Sequence, residues 1–391
     1  MKKLNIGLYG LGVVGQGLYT VLQNSKTVDA QIISICVKQD KERSIGLDII
    51  TRDQNKIIAN SDINVVVELI DDAEDAYQIV KESLLNGKDV VSGNKKMLAA
   101  HLEELIQIQK DTGNSLLYDA SACGSIPIIR NLEEYYDNDL LLSVTGILNG
   151  SSNYILTKIF RYGQDYNAAL KEAQELGFAE SDPAFDVNGN DSLFKLVIIT
   201  AHAFGLLVAP EEIFRFGIAH INEFDVQFAK EKGLKIKLVA KVLKTNNNSV
   251  SLYVAPQFVG EDEYIYNVED EYNGVVIEGA YYDKQFMFGK GAGAFPTGSA
   301  VLSDITALSH NYKYEYKKLK YFNKPSFSNQ LILTIYLRYT RKEDLQYFQF
   351  EEISEQYSGK GTHYVVGKIK LETLVAMKET IANLSVFMGV I

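Results

Sequence analysis

Asp191 and Lys195 are the two residues whose types and spacing most directly suggest chemistry. They lie in DSLFKLVIITAHAFG, an apolar stretch that predicts a buried helix over residues 191–205. Because residues at i and i+4 share one helical face, the two side chains should meet. Burial of a lysine is costly unless it is paired, and it lowers the pKa of the lysine toward that of a useful general acid or base. The alternative is an exposed salt bridge, which the apolar neighbours of Lys195 disfavour.

The stretch GILNGSSNYIL, residues 146–156, raises the question of a ligand loop. Its Asn149-Gly150 pair between apolar segments is typical of a tight turn, but the Ser-Ser-Asn that follows exceeds what a two-residue turn needs. The stretch lies between a predicted strand and a predicted helix, and we predict that Ser151 or Ser152 caps that helix. From the residues alone it is either turn chemistry or a loop shaped to hold a ligand.

Residues 10–15 read GLGVVG, a G-x-G-x-x-G motif that is a weak signal by itself. Here it follows an apolar strand over residues 4–10 and opens a helical pattern over residues 12–24. In that context the motif predicts a dinucleotide site, because the glycines bring the pyrophosphate close to the helix N-terminus. The predicted cofactor contacts are Gly10, Gly12, Val13, Val14 and Gly15.

The end of the second predicted strand, residues 31–37, bears on which cofactor is preferred. An acid there would bind a ribose hydroxyl, but Lys38 and Arg43 follow instead, and basic residues favour the 2′-phosphate of NADP. Asp40 and Glu42 lie among them. We therefore predict NADP or NAD, with NADP slightly favoured, and the alternative is a solvated surface loop.

Two further stretches follow predicted strands, where doubly wound sheets bind ligands. SGNKK, residues 92–96, contains Ser92 and Lys95, which we assign to the cofactor site; the alternative is a pair of surface lysines. In YDASACGSIP, residues 118–127, carbonyls beside a carboxylate would suit a hard cation. Cys123 could instead be a nucleophile, although a free cysteine is more often a small apolar filler.

The glycine-rich stretch GKGAGAFPTGS, residues 289–299, resembles a phosphate loop at first. It lacks the Gly-Lys-Ser/Thr ending of a P-loop, so that interpretation is rejected. A loop closing over a bound ligand remains open.

The elements that must position these residues alternate along the first third of the chain. Strands are predicted at residues 4–10, 31–37, 63–70, 89–93 and 115–120, with helices at 12–24, 73–86 and 96–112. Alternation of this kind indicates βαβ units and a parallel sheet. We predict an α/β fold with a Rossmann-type NAD(P)-binding domain over residues 1–130.

A mixed α+β pattern follows, which predicts a catalytic, substrate and dimerisation domain over residues 131–327. Its predicted strands are 141–148, 235–243, 251–259 and 274–281, and its predicted helices are 153–163, 167–177 and 191–205. Gly177 is a natural helix C-cap, and residues 305–327 could pack back on the first domain. Residues 328–391 predict a small C-terminal α/β domain, with a strand at 330–340, a helix at 371–384 and a strand at 385–391.

Composition narrows the class of partner. The 391 residues are 46% hydrophobic and 23% charged, as in soluble globular proteins, and the net charge is −11. That charge argues against nucleic acid or an anionic membrane as partner, and no apolar run approaches the ~18 residues of a membrane span. Two cysteines cannot form a disulfide framework, so we expect a cytoplasmic protein.

Taken in order, the motifs resemble those of homoserine dehydrogenase. They are GLYGLGVVGQG, VVVELI, SGNKK, YDASACGSIPI, GILNGSSNYIL, AQELGFAESDPAFDVNGNDSLFK and GKGAGAFPTGSAVLSDI, and together they cover about residues 4–305. The resemblance is to the monofunctional form, not to a fusion with aspartate kinase. It implies reversible reduction of L-aspartate 4-semialdehyde to L-homoserine with NAD(P)H, in threonine, methionine and isoleucine biosynthesis.

The resemblance also implies residue roles. Lys195 would donate and accept the proton at the terminal oxygen of the substrate, and Lys95 would contact cofactor and substrate. Glu180 and Asp191 would hold the substrate's amino group, with Asp186 in support. The further residues implied are Asn149 and Gly150 for substrate, and Gly177, Gly291 and Gly293 for cofactor.

A monovalent cation, Na⁺ or K⁺, is implied as well. Its ligands by position would be Asp119, Ala122, Gly124 and Ile126. The family usually has glutamate where this chain has Asp119, which is one methylene shorter. Asp71-Asp72 stand where the family usually has glycines, and we expect both carboxylates to face solvent.

The C-terminal segment occupies the place of the family's ACT regulatory domain, without the Asp-x-x-Gly-type signature of ligand binding. A homodimer or homotetramer that acts on a small-molecule substrate is expected. The competing hypotheses are a thioester-forming semialdehyde dehydrogenase that uses Cys123 and a non-catalytic NAD-binding sensor.

Overall fold

The computed structural model describes residues 2–38, 45, 47–245, 248–359 and 361–391, in two compact units. The first comprises Met1–Asp137 and Lys290–Lys317, and the second comprises Asn138–Gly289 and Lys318–Ile391. The division therefore falls after residue 137, not 130, and residues 290–317, not 305–327, return to the first unit.

The first unit is built on a parallel six-stranded sheet with the order β3-β2-β1-β4-β5-β6. Its strands are β1 (Leu4–Tyr9), β2 (Ala30–Cys36), β3 (Ile50–Thr51), β4 (Val65–Glu68), β5 (Asp89–Ser92) and β6 (Leu116–Leu117). This is the doubly wound order, in which ligands bind at the switch point between β1 and β4. Leu4, Ile6 and Leu8 are fully buried, as strands covered on both faces require. The predicted Rossmann-type fold is confirmed.

Helices lie between these strands and after β6. They are α1 (Val13–Asn24), α2 (Asn55–Ile58), α3 (Ala73–Leu85), α4 (Lys95–Thr112), α5 (Ala120–Cys123) and α6 (Ile128–Glu134). The side chain of Asp72 caps α3 and that of Asn94 caps α4, which ends at Gly113 in a left-handed conformation. Asp71 and Asp72 are exposed, as expected.

The strands that follow form a mixed sheet in the second unit. They are β7 (Leu141–Ile147), β8 (Phe214–Arg215), β9 (Lys235–Thr245), β10 (Ser249–Val259), β11 (Tyr272–Gly279), β12 (Asp283–Lys290), β13 (Ser326–Phe327), β14 (Ile332–Tyr339), β15 (Glu352–Ser358), β16 (His363–Lys370) and β17 (Val386–Val390). The order is β12-β11-β7-β9-β10-β17-β14-β16-β15, and β8 and β13 also pair with β10.

The remaining helices are α7 (Gly150–Tyr162), α8 (Tyr166–Glu175), α9 (Ala184–Val187), α10 (Asn190–Phe204), α11 (Glu223–Glu231), α12 (Ala294–Leu308), α13 (Leu371–Ala376) and α14 (Lys378–Ala382). Helix α12 belongs to the first unit. The predicted loop over residues 289–299 is therefore too long, because residues from Ala294 onward are helical. Pro296 does not prevent this, since the first turn of a helix has no internal partner for its N–H groups.

The C-terminal segment extends the sheet of the second unit. Strand β17 pairs with β10 at Gln257 and Val390, and Arg338 on β14 forms a buried ion pair with Asp225 on α11. The separate ACT-like appendage is not confirmed, because these contacts join the segment to the larger sheet. No described helix is both long enough and apolar enough to cross a membrane.

Candidate active site

The side chain of Asn149 starts helix α7 of the second unit. Its backbone is extended, with φ −125° and ψ 114°, and its Oδ1 accepts the N–H of Ser152 at 2.8 Å. The predicted cap, Ser151 or Ser152, is wrong because both already lie inside the helix. Their hydroxyls donate instead to the carbonyls of Phe178 and Asn149.

The amide nitrogen of Asn149 joins two carboxylates. Its Nδ2 donates to Asp186 Oδ1 at 2.8 Å and to Asp191 Oδ2 at 2.9 Å. Asp186 lies on α9 and Asp191 in the first turn of α10. Asn149 and Asp191 are both buried. The Asn149 side chain thus links the starts of α7 and α10 to α9.

Lys195 completes this cluster. Its Nζ lies 2.7 Å from Asp191 Oδ2 and donates to the Leu148 carbonyl at 2.6 Å, while the residue is only 7% exposed. Asn273 Nδ2 donates to the same carbonyl at 3.1 Å. The pair therefore has the predicted i,i+4 geometry inside the protein, and the exposed salt bridge is excluded.

The pKa of Asp186 is raised above its ordinary value in this cluster. Burial is the larger cause and the nearby Asp191 carboxylate the next, whereas the hydrogen bond from Asn149 and the charge of Lys195 act in the opposite direction. Asp186 consequently holds a proton more readily than an exposed aspartate does. A cationic group placed beside it would favour its ionised form.

Backbone contacts hold the turn between α9 and α10. Arg215 Nη1 donates to the Asn188 carbonyl at 2.7 Å, and the Ile218 N–H donates to the Val187 carbonyl at 2.8 Å. Gly189 has φ 80° at the N-cap of α10, a conformation that glycine adopts without strain. Sequence reasoning missed Arg215 and Asn273, for which the available signal was a polar residue within or beside an apolar strand.

Three other predicted residues of this unit do not join the cluster. The carboxylate of Glu180 is exposed and makes no hydrogen bond or ion pair with the described residues. Gly150 fits closely, since a Cβ there would lie 2.7 Å from the Glu271 carbonyl oxygen. Gly177 follows α8 with φ 76°, as a helix-terminating glycine does.

In the first unit, the glycine motif forms a closely packed turn that is open at Gly12, at the start of α1. Gly10 has φ 92°, and a Cβ there would lie 2.4 Å from the Leu69 carbonyl oxygen. A Cβ on Gly15 would lie 2.3 Å from the Gly10 carbonyl oxygen, whereas nothing lies within 4 Å of one on Gly12. No described side chain caps α1, so its first N–H groups can donate to a ligand. Exposed Val13 and half-buried Val14 follow. The turn therefore fits a dinucleotide pyrophosphate.

The predicted polar cofactor contacts vary in their surroundings. Ser92 is fully buried and donates to Glu68 Oε2 at 2.6 Å. Burial raises the pKa of that glutamate to about 7. Lys95 is half-buried at the start of α4. Lys38 is exposed and forms an ion pair with Asp75. Arg43 lies outside the described residues.

The predicted cation ligands make hydrogen bonds within the first unit. Asp119 Oδ1 accepts the N–H groups of Ile129 at 2.8 Å and Arg130 at 3.2 Å. The Ile126 carbonyl accepts the Ile128 N–H at 2.8 Å. Ala122 and Gly124 are buried. Two of the four predicted ligand groups thus already accept hydrogen bonds from the protein.

Cys123 and the second glycine-rich stretch lie nearby in the same unit. Cys123 is fully buried, which suits a small apolar filler. A Cβ on Gly124 would lie 2.5 Å from Gly291, so these backbones pack closely. Gly293, with φ 122°, is the N-cap of α12.

Comparison with known proteins agrees with this geometry. The family model described as "Homoserine dehydrogenase, NAD binding domain" matches residues 10–119, and the model described as "Homoserine dehydrogenase" matches residues 127–306. Homoserine dehydrogenase of Helicobacter pylori is 38% identical over 315 residues, covering 79% of this chain and 74% of that one.

Two solved structures extend the comparison to the fold. A homoserine dehydrogenase from Thiobacillus denitrificans has a TM-score of 0.84 at 28% identity, with 100% of this chain and 98% of that one covered. A hyperthermophilic archaeal homoserine dehydrogenase in complex with NADPH has a TM-score of 0.69 at 25% identity, with 80% and 99% covered.

Proposed function

The chain belongs to the homoserine dehydrogenase family, and from that premise we propose how its residues perform the reaction. It is an NAD(P)-dependent oxidoreductase that acts on a CH–OH group. The reaction we assign is reversible reduction of L-aspartate 4-semialdehyde to L-homoserine. The observation that carries the assignment of roles is the buried Lys195 ammonium, held between Asp191 and the Leu148 carbonyl.

Lys195 is the proposed proton donor. A lysine ammonium has three N–H groups, and two of those of Lys195 have acceptors among the described residues, Asp191 and Leu148. The third can donate to the aldehyde oxygen. As hydride reaches the carbonyl carbon, negative charge develops on that oxygen, where a preorganised ammonium stabilises it. The same ammonium then transfers its proton and leaves a hydroxyl group, and in the oxidation direction neutral Lys195 accepts the proton.

The carboxylates have two proposed roles. Asp191 orients the Lys195 ammonium, since its Oδ2 lies 2.7 Å from the lysine Nζ. Glu180 and Asp191, with Asp186 in support, are proposed to hold the amino group of the substrate, and Gly150 is proposed to lie beside it. Because Glu180 is exposed and apart from the other acids, it would contact the amino group only when the substrate is bound.

Nicotinamide, when bound, supplies or accepts the hydride at the reacting carbon. We propose that residues 10–15 hold its pyrophosphate, with Gly177, Gly291, Gly293, Ser92 and Lys95 as further contacts. Lys38 supports a slight preference for NADP over NAD, because a 2′-phosphate could compete with Asp75 for its ammonium. The NADPH complex of the archaeal relative is consistent with this choice.

Further properties of the protein are proposed from the family. They are a homodimer or homotetramer, a cytoplasmic location and a place in threonine, methionine and isoleucine biosynthesis. Binding of Na⁺ or K⁺ at Asp119 stays a prediction, and no step of the mechanism passes through it. The thioester alternative is not supported, because Cys123 is fully buried and the comparisons indicate homoserine dehydrogenase.

The steady-state assay tests the proposal. Purified protein should consume NADPH or NADH when aspartate 4-semialdehyde is added, and should reduce NADP⁺ or NAD⁺ with L-homoserine. Running each cofactor with Na⁺, with K⁺ and with neither also tests cofactor preference and the cation. Absence of turnover with both cofactors under all these conditions would overturn the proposed function.

A further inference from the structure

We propose that Asn149 is a positioning residue that sets the orientation and protonation of the Asp186–Asp191 pair, and that it does not itself bind substrate. This inference rests on the proposed function, since it assumes that Asp191 and Lys195 serve the reaction. It differs from the substrate contact that the family resemblance implies for Asn149.

The hydrogen-bonding capacity of Asn149 carries the first step. An asparagine side chain has two N–H donors and one carbonyl oxygen. One N–H lies on Asp186 and the other on Asp191, while Oδ1 accepts from Ser152. The reverse orientation would turn the oxygen toward two carboxylates, so the network fixes the amide as described. With both donors in use and 5% exposure, no N–H is left for a substrate.

The effect on charge is the second step. An N–H donor that faces a carboxylate favours its ionised form, and Asn149 provides one to each of two neighbouring carboxylates. The other groups that face Asp186 are the Lys195 ammonium and the Ser151 hydroxyl. Removing the amide leaves Lys195 as the main counter-charge that acts on Asp186, so Asp186 would retain a proton at higher pH.

The position of Asn149 is the third step. It lies next to Leu148, whose carbonyl accepts from Lys195. Asn149 therefore links α7 to the acid that orients the lysine, while its neighbour holds the lysine directly. Loss of the amide would remove one hydrogen bond from Asp191 and none from Lys195. We therefore expect a change in the protonation of the acids, not a simple loss of substrate binding.

Two variants separate this role from helix capping. Serine and aspartate cap helices about as well as asparagine, so Asn149→Ser and Asn149→Asp keep the bond to the Ser152 N–H and remove the amide donors. Asn222 offers a matched control, because its Oδ1 caps α11 by accepting from Phe224 and Asp225. Asn222→Ser changes a helix cap only and should leave the dependence of activity on pH unaltered.

The expected result is a fall in kcat of roughly 10- to 100-fold for both Asn149 variants, the size expected for lost hydrogen bonds to charged groups. The acid limb of the pH–rate profile should move to higher pH, further for Asn149→Asp than for Asn149→Ser. A raised KM with an unchanged profile would show substrate binding and overturn the proposal. A loss of activity that merely follows thermal stability, as in Asn222→Ser, would reduce Asn149 to a helix cap and also overturn it.

An infrared titration of the carboxyl groups in substrate-free protein provides a readout that does not depend on activity. Each Asn149 variant should show a carboxyl band, absent from the corresponding Asp186→Asn double variant, that titrates at higher pH than in the unaltered protein. An unshifted band overturns the proposal. Failure of the proposed function is recognised separately, because the unaltered protein would then show no turnover while the titration difference persists.

Discussion

Two buried ion pairs of the second unit, Asp191–Lys195 and Asp225–Arg338, have the same contact distance and different surroundings. The N–O distance is 2.7 Å in both, and neither pair has a side chain more than 9% exposed. Burial and contact distance alone therefore do not separate the pair that we propose to be catalytic from the one that we propose to be structural. The difference lies in which groups can still exchange a proton or accept a new partner.

Both members of the Asp225–Arg338 pair make further hydrogen bonds to other groups of the protein. Asp225 also accepts from the Tyr336 hydroxyl and the Asn222 N–H, and Arg338 also donates to the His220 carbonyl at 2.6 Å. Arginine stays protonated at any physiological pH. These contacts join β14 to the start of α11, so this pair fixes the C-terminal segment to the sheet.

Asp191–Lys195 keeps an unused hydrogen-bond donor. One N–H of Lys195 has no acceptor among the described residues. A second acid, Asp186, lies on the same Asn149 amide. Comparison of the two pairs shows that an unused donor and a second nearby acid set apart the pair that we propose to be reactive.

The largest expected effect follows from replacing the reactive lysine. Lys195→Met should lower kcat/KM by roughly 10²- to 10⁴-fold, the contribution of a positioned general acid, while cofactor affinity is retained. Steady-state kinetics and titration of NADPH binding by fluorescence check this. Lys171→Met, an exposed lysine of α8, is the control and should keep full activity. Full activity of the Lys195 variant would remove the distinction between the two pairs.

The next effect concerns the structural pair. Arg338→Met leaves the buried Asp225 carboxylate without its cation and should lower the free energy of unfolding by about 3–5 kcal/mol. Chemical denaturation measures this, and kcat per folded molecule should stay within about twofold, since the chemistry does not use Arg338. Adding Asp225→Asn should recover part of the loss. A larger effect on kcat than on stability would contradict the structural role.

Smaller still is the effect of neutralising the second acid. The pKa of Asp186 is raised by burial and then by Asp191, so the folded protein binds this proton more tightly than the unfolded chain. Its contribution to stability is present below about pH 4, the unfolded pKa, and is lost as the pH rises through the raised pKa. Asp186→Asn should therefore raise Tm at pH 8 by about 1–4 °C.

Thermal unfolding at a series of pH values checks that prediction. The gain in Tm from Asp186→Asn should shrink toward zero as the pH falls below 4. An equal gain at every pH would show that packing, not charge, is responsible.

The smallest effect is expected at an exposed pair with the same i,i+4 spacing as Asp191 and Lys195. Lys171 and Glu175 lie 3.8 Å apart on α8, with side chains 77% and 65% exposed. Glu175→Gln should change the free energy of unfolding by at most about 0.5 kcal/mol, because water screens the charges. Denaturation at low and high salt measures it. A loss comparable to that of Arg338→Met would show that burial does not explain the difference.

Much of this molecule could be predicted from local sequence. Apolar runs ended by glycine or polar residues predicted β1, β2, β4, β5 and β6 and helices α1, α3 and α4 to within a few residues, but not β3, α2, α5 or α6. The spacing of Asp191 and Lys195 predicted their contact, because helix geometry alone brings residues four apart onto one face. The apolar residues around Lys195 likewise predicted its burial. The glycine motif and its context predicted the open turn at Gly12.

Other features depended on contacts between distant parts of the chain. Asn149 meets Asp186 and Asp191 across 37 and 42 residues, and Arg338 meets Asp225 across 113. The attachment of the C-terminal strands to the sheet belongs to the same class. Periodicity encodes which segments form helices and strands and which faces are apolar. Which polar groups those faces bring together is decided only when the segments pack, because a buried donor or acceptor takes its partner from whatever the fold places within reach.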